Sequence, residues 1–344
     1  LACNFRCDYC FEAQSNGRMD RDTEQALLKF AEPRVRRSES IFITWFGGEP
    51  TLCIDTIERM QVGFRQMAAR FDIPMQPSAI ITNGYLLDRA MATRLKALGV
   101  SEAQVTLDGP AEVHDTRRKL ANGRPTYERI LANLAQSAEI LRIGVRVNVD
   151  RLNLETTGQI LNDLRQRDLL GKVAVYFAQV NASTAVCADI KDRCLTTEEF
   201  SRGQIELYRK LIDTGIYAIE YPMLSPGGHC GADSDNAFVV GPNGDLFKCW
   251  EELSIDHSHT VGSVFQSEAT PVQRQTDIAY LSWDPFARSG CRECEILPIC
   301  MGGCPRQALR EDDPKTGACC SWKYNLREML SLRYLCDLKR QEAE

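Results

Sequence analysis

Leu1-Ala2-Cys3-Asn4-Phe5-Arg6-Cys7-Asp8-Tyr9-Cys10-Phe11 places three cysteines within eight residues, spaced C-x3-C-x2-C, with an aromatic residue on each side of the last. Three thiolates on one short loop can hold three irons of a four-iron cluster and leave the fourth iron open to a small chelating molecule. An open iron implies chemistry beyond electron storage. Structural zinc is the alternative, but zinc takes four protein ligands, and no fourth ligand stands near these three in the sequence.

The chain has 344 residues, enough for a full core and about two domains. Its net charge of −6 offers no basic stripe for nucleic acid or an anionic membrane, and no apolar run approaches a transmembrane helix in length. Neither kind of partner is expected. No signal peptide is visible, and because the first residue already abuts the cysteine motif, the natural N-terminus is expected to lie upstream. Fifteen cysteines in a chain with its own core fit metal ligation in a reducing cytoplasm better than a disulfide-stapled secreted fold.

From about residue 22 to 180, β-branched apolar runs alternate with amphipathic stretches, the pattern of βα units around a parallel sheet. Strands are expected at Ile41–Trp45, Ser78–Thr82, Ala103–Leu107, Gly144–Val149 and Val173–Gln179. Helices are expected at about Thr23–Ala31, Ile54–Phe71, Arg89–Leu98, Tyr127–Leu141 and Glu155–Arg167, several opened by Asp, Thr or Asn caps. With one strand expected before Leu1, this makes six units, too few for an eight-stranded barrel, so an open partial barrel with its site at the C-terminal strand ends is implied. A polar stretch and a helix over Thr197–Thr214 then bridge to a Gly-, Pro- and Cys-rich module, and Asn325–Arg340 has helical spacing.

The strand ending at Trp45 runs into Phe46-Gly47-Gly48-Glu49-Pro50, where two glycines let backbone approach a ligand or simply make a tight turn. Further strand ends carry Thr82-Asn83-Gly84, Thr106-Leu107-Asp108-Gly109 and Val147-Asn148-Val149, polar groups that serve a barrel-top site or cap helices. In His114-Asp115-Thr116-Arg117-Arg118 a guanidinium can pair bidentately with a carboxylate, or the group is a solvated charge cluster.

The cysteine spacing, its flanks and the Gly-Gly-Glu that follows together resemble the radical S-adenosylmethionine (SAM) superfamily. The resemblance implies a 4Fe-4S cluster on Cys3, Cys7 and Cys10 whose open iron binds the amino and carboxylate groups of SAM and cleaves it reductively to a 5'-deoxyadenosyl radical. It also implies that Gly47, Gly48 and Glu49 receive the SAM amino group, that Asn83 and Thr106 or Asp108 face SAM or substrate, that Asn148 faces the ribose, and that Arg117 or Arg118 pairs with the methionine carboxylate.

Downstream, Cys230, Cys249, the run Cys291-x2-Cys294-x5-Cys300-x3-Cys304, and Cys320 follow in order, with Pro242-Asn243-Gly244 reading as a hairpin turn. This order resembles the SPASM domain, which binds two auxiliary four-iron clusters in peptide-modifying radical SAM enzymes. By that resemblance Cys230, Cys249 and Cys304 hold the first cluster, and Cys291, Cys294, Cys300 and Cys320 the second. The first then lacks a fourth ligand: either it is open to substrate, or Cys319, Cys187 or Cys194 completes it. Cys319 is otherwise a spare neighbour of Cys320, and Cys53 and Cys336, in helical contexts, read as inert buried thiols.

The fold class implied is α/β, a partial (β/α)6 TIM-like radical SAM barrel over residues 1–180, a bridging region over 181–226, and a SPASM iron-sulfur domain with a C-terminal helix over 227–344. The sulfatase-maturing branch carries an Asp directly after the cysteine matching Cys249; here Trp250-Glu251 stands there, with Glu251 as a candidate base in another geometry. The motifs look more like maturases of ribosomally made peptides, which abstract a hydrogen from a precursor peptide and form a thioether or carbon-carbon crosslink. The expected partners are the precursor peptide, an electron donor such as flavodoxin or ferredoxin, and a separate leader-binding protein; the cofactors are SAM and three 4Fe-4S clusters. Excision of peptide backbone, maturation of a protein such as a sulfatase or dehydrogenase subunit, and a non-enzymatic iron-sulfur carrier remain open readings.

Overall fold

The computed structural model describes residues 1–217, 219, 222, 230–253, 258–310 and 319–343. The expected boundary between residues 226 and 227 lies outside them. The chain divides into two compact units, Leu1–Cys194 with Pro242–Gly244, and Leu195–Gly241 with Asp245–Glu344.

In the first unit the order is β1 (Phe5–Cys7), α1 (Arg21–Val35), β2 (Thr44–Trp45), α2 (Ile54–Phe71), β3 (Ser78–Thr82), α3 (Arg89–Ala97), β4 (Val100–Thr106), α4 (Ala111–Arg117), β5 (Arg118–Leu120), α5 (Tyr127–Ser137), β6 (Arg142–Val149), α6 (Ile160–Gln166) and β7 (Val173–Gln179). Strands β2, β3, β4, β6 and β7 form one parallel sheet in that order, so successive strands lie side by side, as helical crossovers place them. Ile80, Val105, Leu107, Val145, Val147 and Val149 are wholly buried. On α2 the stripe Ile57, Met60, Phe64 and Ala68 recurs at helical spacing, and Met60, Phe64 and Ala68 pack on Ala31 and Val35 of α1; each large side chain so buried contributes about 1.5–3 kcal/mol. Asp20 and Asp88 open α1 and α3 by accepting from the amides of Thr23 at 2.8 Å and Met91 at 3.0 Å.

Strands β3 and β7 and helix α2 have the bounds their sequence patterns predict. Strand β2 is shorter than expected: it is an edge strand paired only with β3, and Ile41 contributes just an isolated bridge to Met75. The helix expected from Glu155 becomes α-helical only at Ile160. The cause is Asn153, whose side chain turns back to the carbonyls of Asp108 and Asn148, both at 2.8 Å, and so ties the segment to the strand ends. Helix α4 and the two-stranded ribbon of β1 and β5 are absent from the sequence reading, being too short to show a period.

In the second unit α7 (Thr197–Asp213) starts at a capping box, Thr196 and Glu199 each accepting from the other's amide. Strands β8 (Val239–Val240), β9 (Asp245–Phe247) and β10 (Gly262–Ser263) make an antiparallel sheet, and β8 and β9 are joined by the predicted turn, with Gly244 at φ 86°. Then come α8 (Pro271–Leu281), the short α9 (Ser289–Arg292), α10 (Leu297–Cys300) and α11 (Pro305–Arg310), and α12 (Trp322–Ala343). Helix α12 packs on α7, where buried Asn325 donates to the Ser201 carbonyl at 3.1 Å and to Gln204 at 2.9 Å. No helix among the described residues is long and apolar enough to cross a membrane.

Candidate active site

Strand β1 lies inside the cysteine motif and pairs antiparallel with β5, Phe5 opposite Leu120 and Cys7 opposite Arg118. Residues directly opposite in such a ladder share a face, with Cβ atoms about 4.5–5.5 Å apart. Phe5 is wholly buried and meets the Tyr85 ring edge-on at 5.9 Å, which anchors the loop between its first two cysteines. Burial pushes the Cys7 thiol up to about 12 and that of Cys10 up to about 11; Cys7 is further opposed by the charge of Cys10 and Cys3, and Cys10 by that of Glu12 and Cys3. Such thiols ionise only when a positive centre neutralises them. Among the described residues no group of three or more His, Cys, Asp or Glu converges as a single metal ion requires.

The Gly-Gly-Glu turn follows β2. A Cβ on Gly48 (φ 55°) would stand 2.2 Å from the Ala2 carbonyl oxygen, so this glycine lets the turn close against the cysteine loop, and the room beside it is already taken by backbone. The Glu49 amide donates to the Ala2 carbonyl at 2.9 Å. The Glu49 carboxylate is buried and enclosed by four donors of the chain itself, the Thr51 amide and hydroxyl, the Thr82 hydroxyl and the Asn83 amide, at 2.5–3.1 Å. Glu12, absent from the sequence reading, is also buried and accepts from the Gly48 amide at 2.5 Å. Asn83 is buried too, and donates to Asn4 of the cysteine loop at 2.8 Å.

The ends of β4 and β6 meet in one buried polar network. Asp108 accepts from the Tyr9 hydroxyl at 2.6 Å, from Arg117 at 3.3 Å and from the Asn148 amide at 3.2 Å. Arg117 also donates to Asp150 at 2.7 Å, and Asp150 accepts from Arg193 at 3.0 Å. Arg117 is thus balanced by two buried carboxylates. Arg118, also buried, donates to the Tyr9 hydroxyl at 2.6 Å, and its Nε has no partner. The Asn148 side chain donates to the same hydroxyl at 3.1 Å, and Thr106 is buried at the end of β4. The two arginines are therefore not a solvated cluster. Of the members that sequence reading missed, Tyr9 sits between the motif cysteines and Asp150 one residue beyond β6, where the same search for polar residues had only to be widened; Arg193, fourteen residues past β7, carries no such signal.

His114 is buried beneath this network. Its Nδ1 accepts from the Asp108 amide at 3.3 Å, so Nε2 carries the proton and donates to Thr126 at 3.1 Å. Burial, and then the two arginines, push its pKa well below the ordinary value. A folded-state pKa depressed in this way gives stability that is present above the unfolded value, about 6.5, and lost as pH falls below it, at about 1.4 kcal/mol per pH unit. Chemical denaturation of the protein and of His114→Asn at pH 7.5 and 5.5 should show the loss only in the former; parallel curves would mean that His114 is protonated in the fold.

Residues 1–164 match the model of the Radical SAM superfamily. They are a radical SAM domain. The chain is 27% identical over 232 residues to Fe-coproporphyrin III synthase of Methanosarcina barkeri, covering 66% of this chain but only 54% of that relative, about half its length. It is 22% identical over 322 residues to a serine-type anaerobic sulfatase-maturating enzyme of Klebsiella aerogenes, covering 88% of this chain and 77% of the relative. It is 24% identical over 321 residues to the mycofactocin maturase MftC of Mycobacterium tuberculosis, covering 88% and 75%. The solved structure of native anSMEcpe with bound AdoMet and Kp18Cys peptide superposes at TM-score 0.73 with 17% identity, covering 97% of this chain and 96% of that one, so the two share a fold.

The donor set of the radical SAM domain fits the SAM and 4Fe-4S cluster its family uses: three half-buried thiols, beside a buried cation that has an unpartnered edge. Beyond it, all fifteen cysteines are free of disulfides. In the second unit Cys304 lies within electrostatic reach of Cys230, and Cys249 within reach of Cys304. Cys291 is within reach of Cys300, Cys319 and Cys294, and Cys320 within reach of Cys300. Between Cys300 and Cys304, Met301, Gly302 and Gly303 are left-handed in succession, at φ 44°, 85° and 79°, which turns the chain from one group to the other. Cys319 thus lies beside the second of these groups. Cys187 and Cys194 sit in the first unit, against Val180, Ile190, Tyr9 and Phe11, and Cys336 is buried within α12. Glu251 lies beside Cys249 and accepts from Arg306 at 3.1 Å.

Proposed function

We propose that this radical SAM enzyme matures a ribosomally made precursor peptide, taking a hydrogen from one residue and forming a thioether or carbon-carbon crosslink. The observation that carries the reading is the gathering of two further cysteine groups in the second unit: Cys230, Cys249 and Cys304, and Cys291, Cys294 and Cys300 with Cys319 and Cys320. A crosslink is a two-electron oxidation. One hydrogen atom leaves with the adenosyl group, and the second electron needs an acceptor. Two auxiliary 4Fe-4S clusters on these groups supply that acceptor, giving three clusters in all.

When bound, the first cluster and SAM supply the 5'-deoxyadenosyl radical. In the reading proposed here Cys3, Cys7 and Cys10 ligate that cluster, and the backbone of Gly47 and Gly48 presents the amino-group site. Glu49 holds that turn through its four internal bonds, while Asn83, Thr106, Asp108 and Asn148 line the strand ends toward SAM and substrate. The network of Asp108, Arg117 and Asp150 excludes water there, because its charges are already matched. Glu251, paired with Arg306, stands beside the first auxiliary group as the candidate base. A flavodoxin or ferredoxin supplies the electrons, in a compartment reducing enough to keep the thiols free.

The test is anaerobic incubation with SAM, reductant and the precursor peptide encoded beside the gene, read by mass spectrometry. Loss of two hydrogens per crosslink, together with 5'-deoxyadenosine, is expected. Loss of a residue-sized fragment would move the reading to backbone excision. Deoxyadenosine formed only with a non-peptide substrate such as a porphyrin, and no mass change in any peptide, would overturn it.

A further inference from the structure

Arg118 is paired in register with Cys7 across the β1–β5 ribbon, so the two side chains leave the ladder on one face. The guanidinium is buried, and its surroundings are the Tyr9 hydroxyl, the Tyr9 ring at 5.9 Å and the Phe5 ring at 5.7 Å. Unlike Arg117, it has no carboxylate in ion-pair contact among the described residues; Asp108 and Asp150 are bonded to Arg117. Its link to Asp108 passes through the Tyr9 hydroxyl, which accepts from Arg118 and donates to Asp108. A buried cation without an anion is strongly unfavourable.

We propose that Arg118 is the fixed countercharge of the Cys3, Cys7 and Cys10 thiolate set, a positioning residue that eases reduction of the cluster held there. This rests on the assignment of those cysteines under the proposed function. A fixed positive charge favours the more negative, reduced state of a nearby cluster, so its removal makes that state harder to reach. Tyr9, in turn, holds the guanidinium in place through its hydroxyl without adding a negative charge.

The experiment is an EPR-monitored redox titration of the reconstituted holoenzyme, following the signal that changes on SAM addition, in wild type, Arg118→Gln and Arg118→Lys, with iron counted in each. In Arg118→Gln the reduced-to-oxidised ratio at the wild-type midpoint should fall about tenfold, about 59 mV for a one-electron couple, with iron content kept. Arg118→Lys, which keeps the charge, should stay within about a third of that shift. An unchanged midpoint in Arg118→Gln with full iron, or an equal shift in both variants, overturns the proposal. If Arg118→Gln loses the SAM-responsive iron, Arg118→Lys decides: iron and midpoint retained support the countercharge, and iron lost there as well refutes it. A wild-type protein with no SAM-responsive signal would instead refute the cluster assignment, which separates the two failures.

Discussion

With Cys3, Cys7 and Cys10 all replaced by alanine, the anaerobically reconstituted protein is expected to lose about four of about twelve irons and to stop cleaving SAM altogether. The loss should be that local because the loop is anchored independently of its sulfurs. Phe5 stays buried against Tyr85, β1 keeps its ladder with β5, and Glu49 still bonds the Ala2 carbonyl through its amide. Far-ultraviolet circular dichroism should therefore match the parent while the SAM-dependent change in the EPR spectrum disappears. Iron determination and deoxyadenosine release are the two readouts. Stoichiometric zinc in the unaltered protein, with no iron-sulfur absorbance, would sink the assignment.

Replacing Cys291 and Cys294 with alanine is expected to abolish the peptide product while part of the SAM cleavage survives uncoupled. Of the second group this leaves Cys300, Cys319 and Cys320, two of them adjacent in the chain, which cannot surround a four-iron cluster, so about four irons should go. The first group should keep its metal. Cys304 is separated from Cys300 by the left-handed run at Met301–Gly303 and is packed into the start of α11, where its carbonyl accepts from Ala308 at 3.0 Å. Full peptide turnover in this variant would mean that the second group is structural and that the electron leaves by another route. Loss of all SAM cleavage would mean that the two units depend on each other for folding.

The sheet was legible from sequence because its longer strands bury apolar residues at every second position, Ile143, Val145 and Val147 on β6 and Val173, Val175 and Phe177 on β7, which period and propensity both report. The cap of α3 was legible for the same local reason, Asp88 lying one residue before the helix, whereas α1 starts at Arg21 behind Asp20, two residues before the expected Thr23. The site was legible only as a set of residue types at strand ends. Which arginine pairs with which aspartate depends on how β4 and β6 align, and nothing in the order of residues 106–118 says that Arg117 reaches Asp150 while Arg118 turns to Tyr9. Likewise Gly48 reads as room for a ligand, yet the backbone of Ala2 fills that room. Chemistry is written in single residues, and contacts between segments a hundred residues apart are not.

Those separations also set a clock. Tyr9 reaches its acceptor on Asp108 across 99 residues and its donors on Arg118 and Asn148 across 109 and 139, and Phe11 receives the Thr184 hydroxyl across 173. Contacts this distant form only after the intervening chain has been made, because closing a long loop brings no gain until both ends exist. During synthesis at about 5–20 residues per second, the thiol run thus waits about 9–37 s before Arg193, which pairs with Asp8 across 185 residues, emerges. Through that interval it is an unshielded, oxidisable segment on the ribosome. Loading with iron must follow closure of the sheet, and the yield of active enzyme depends on how reducing the cell is during translation.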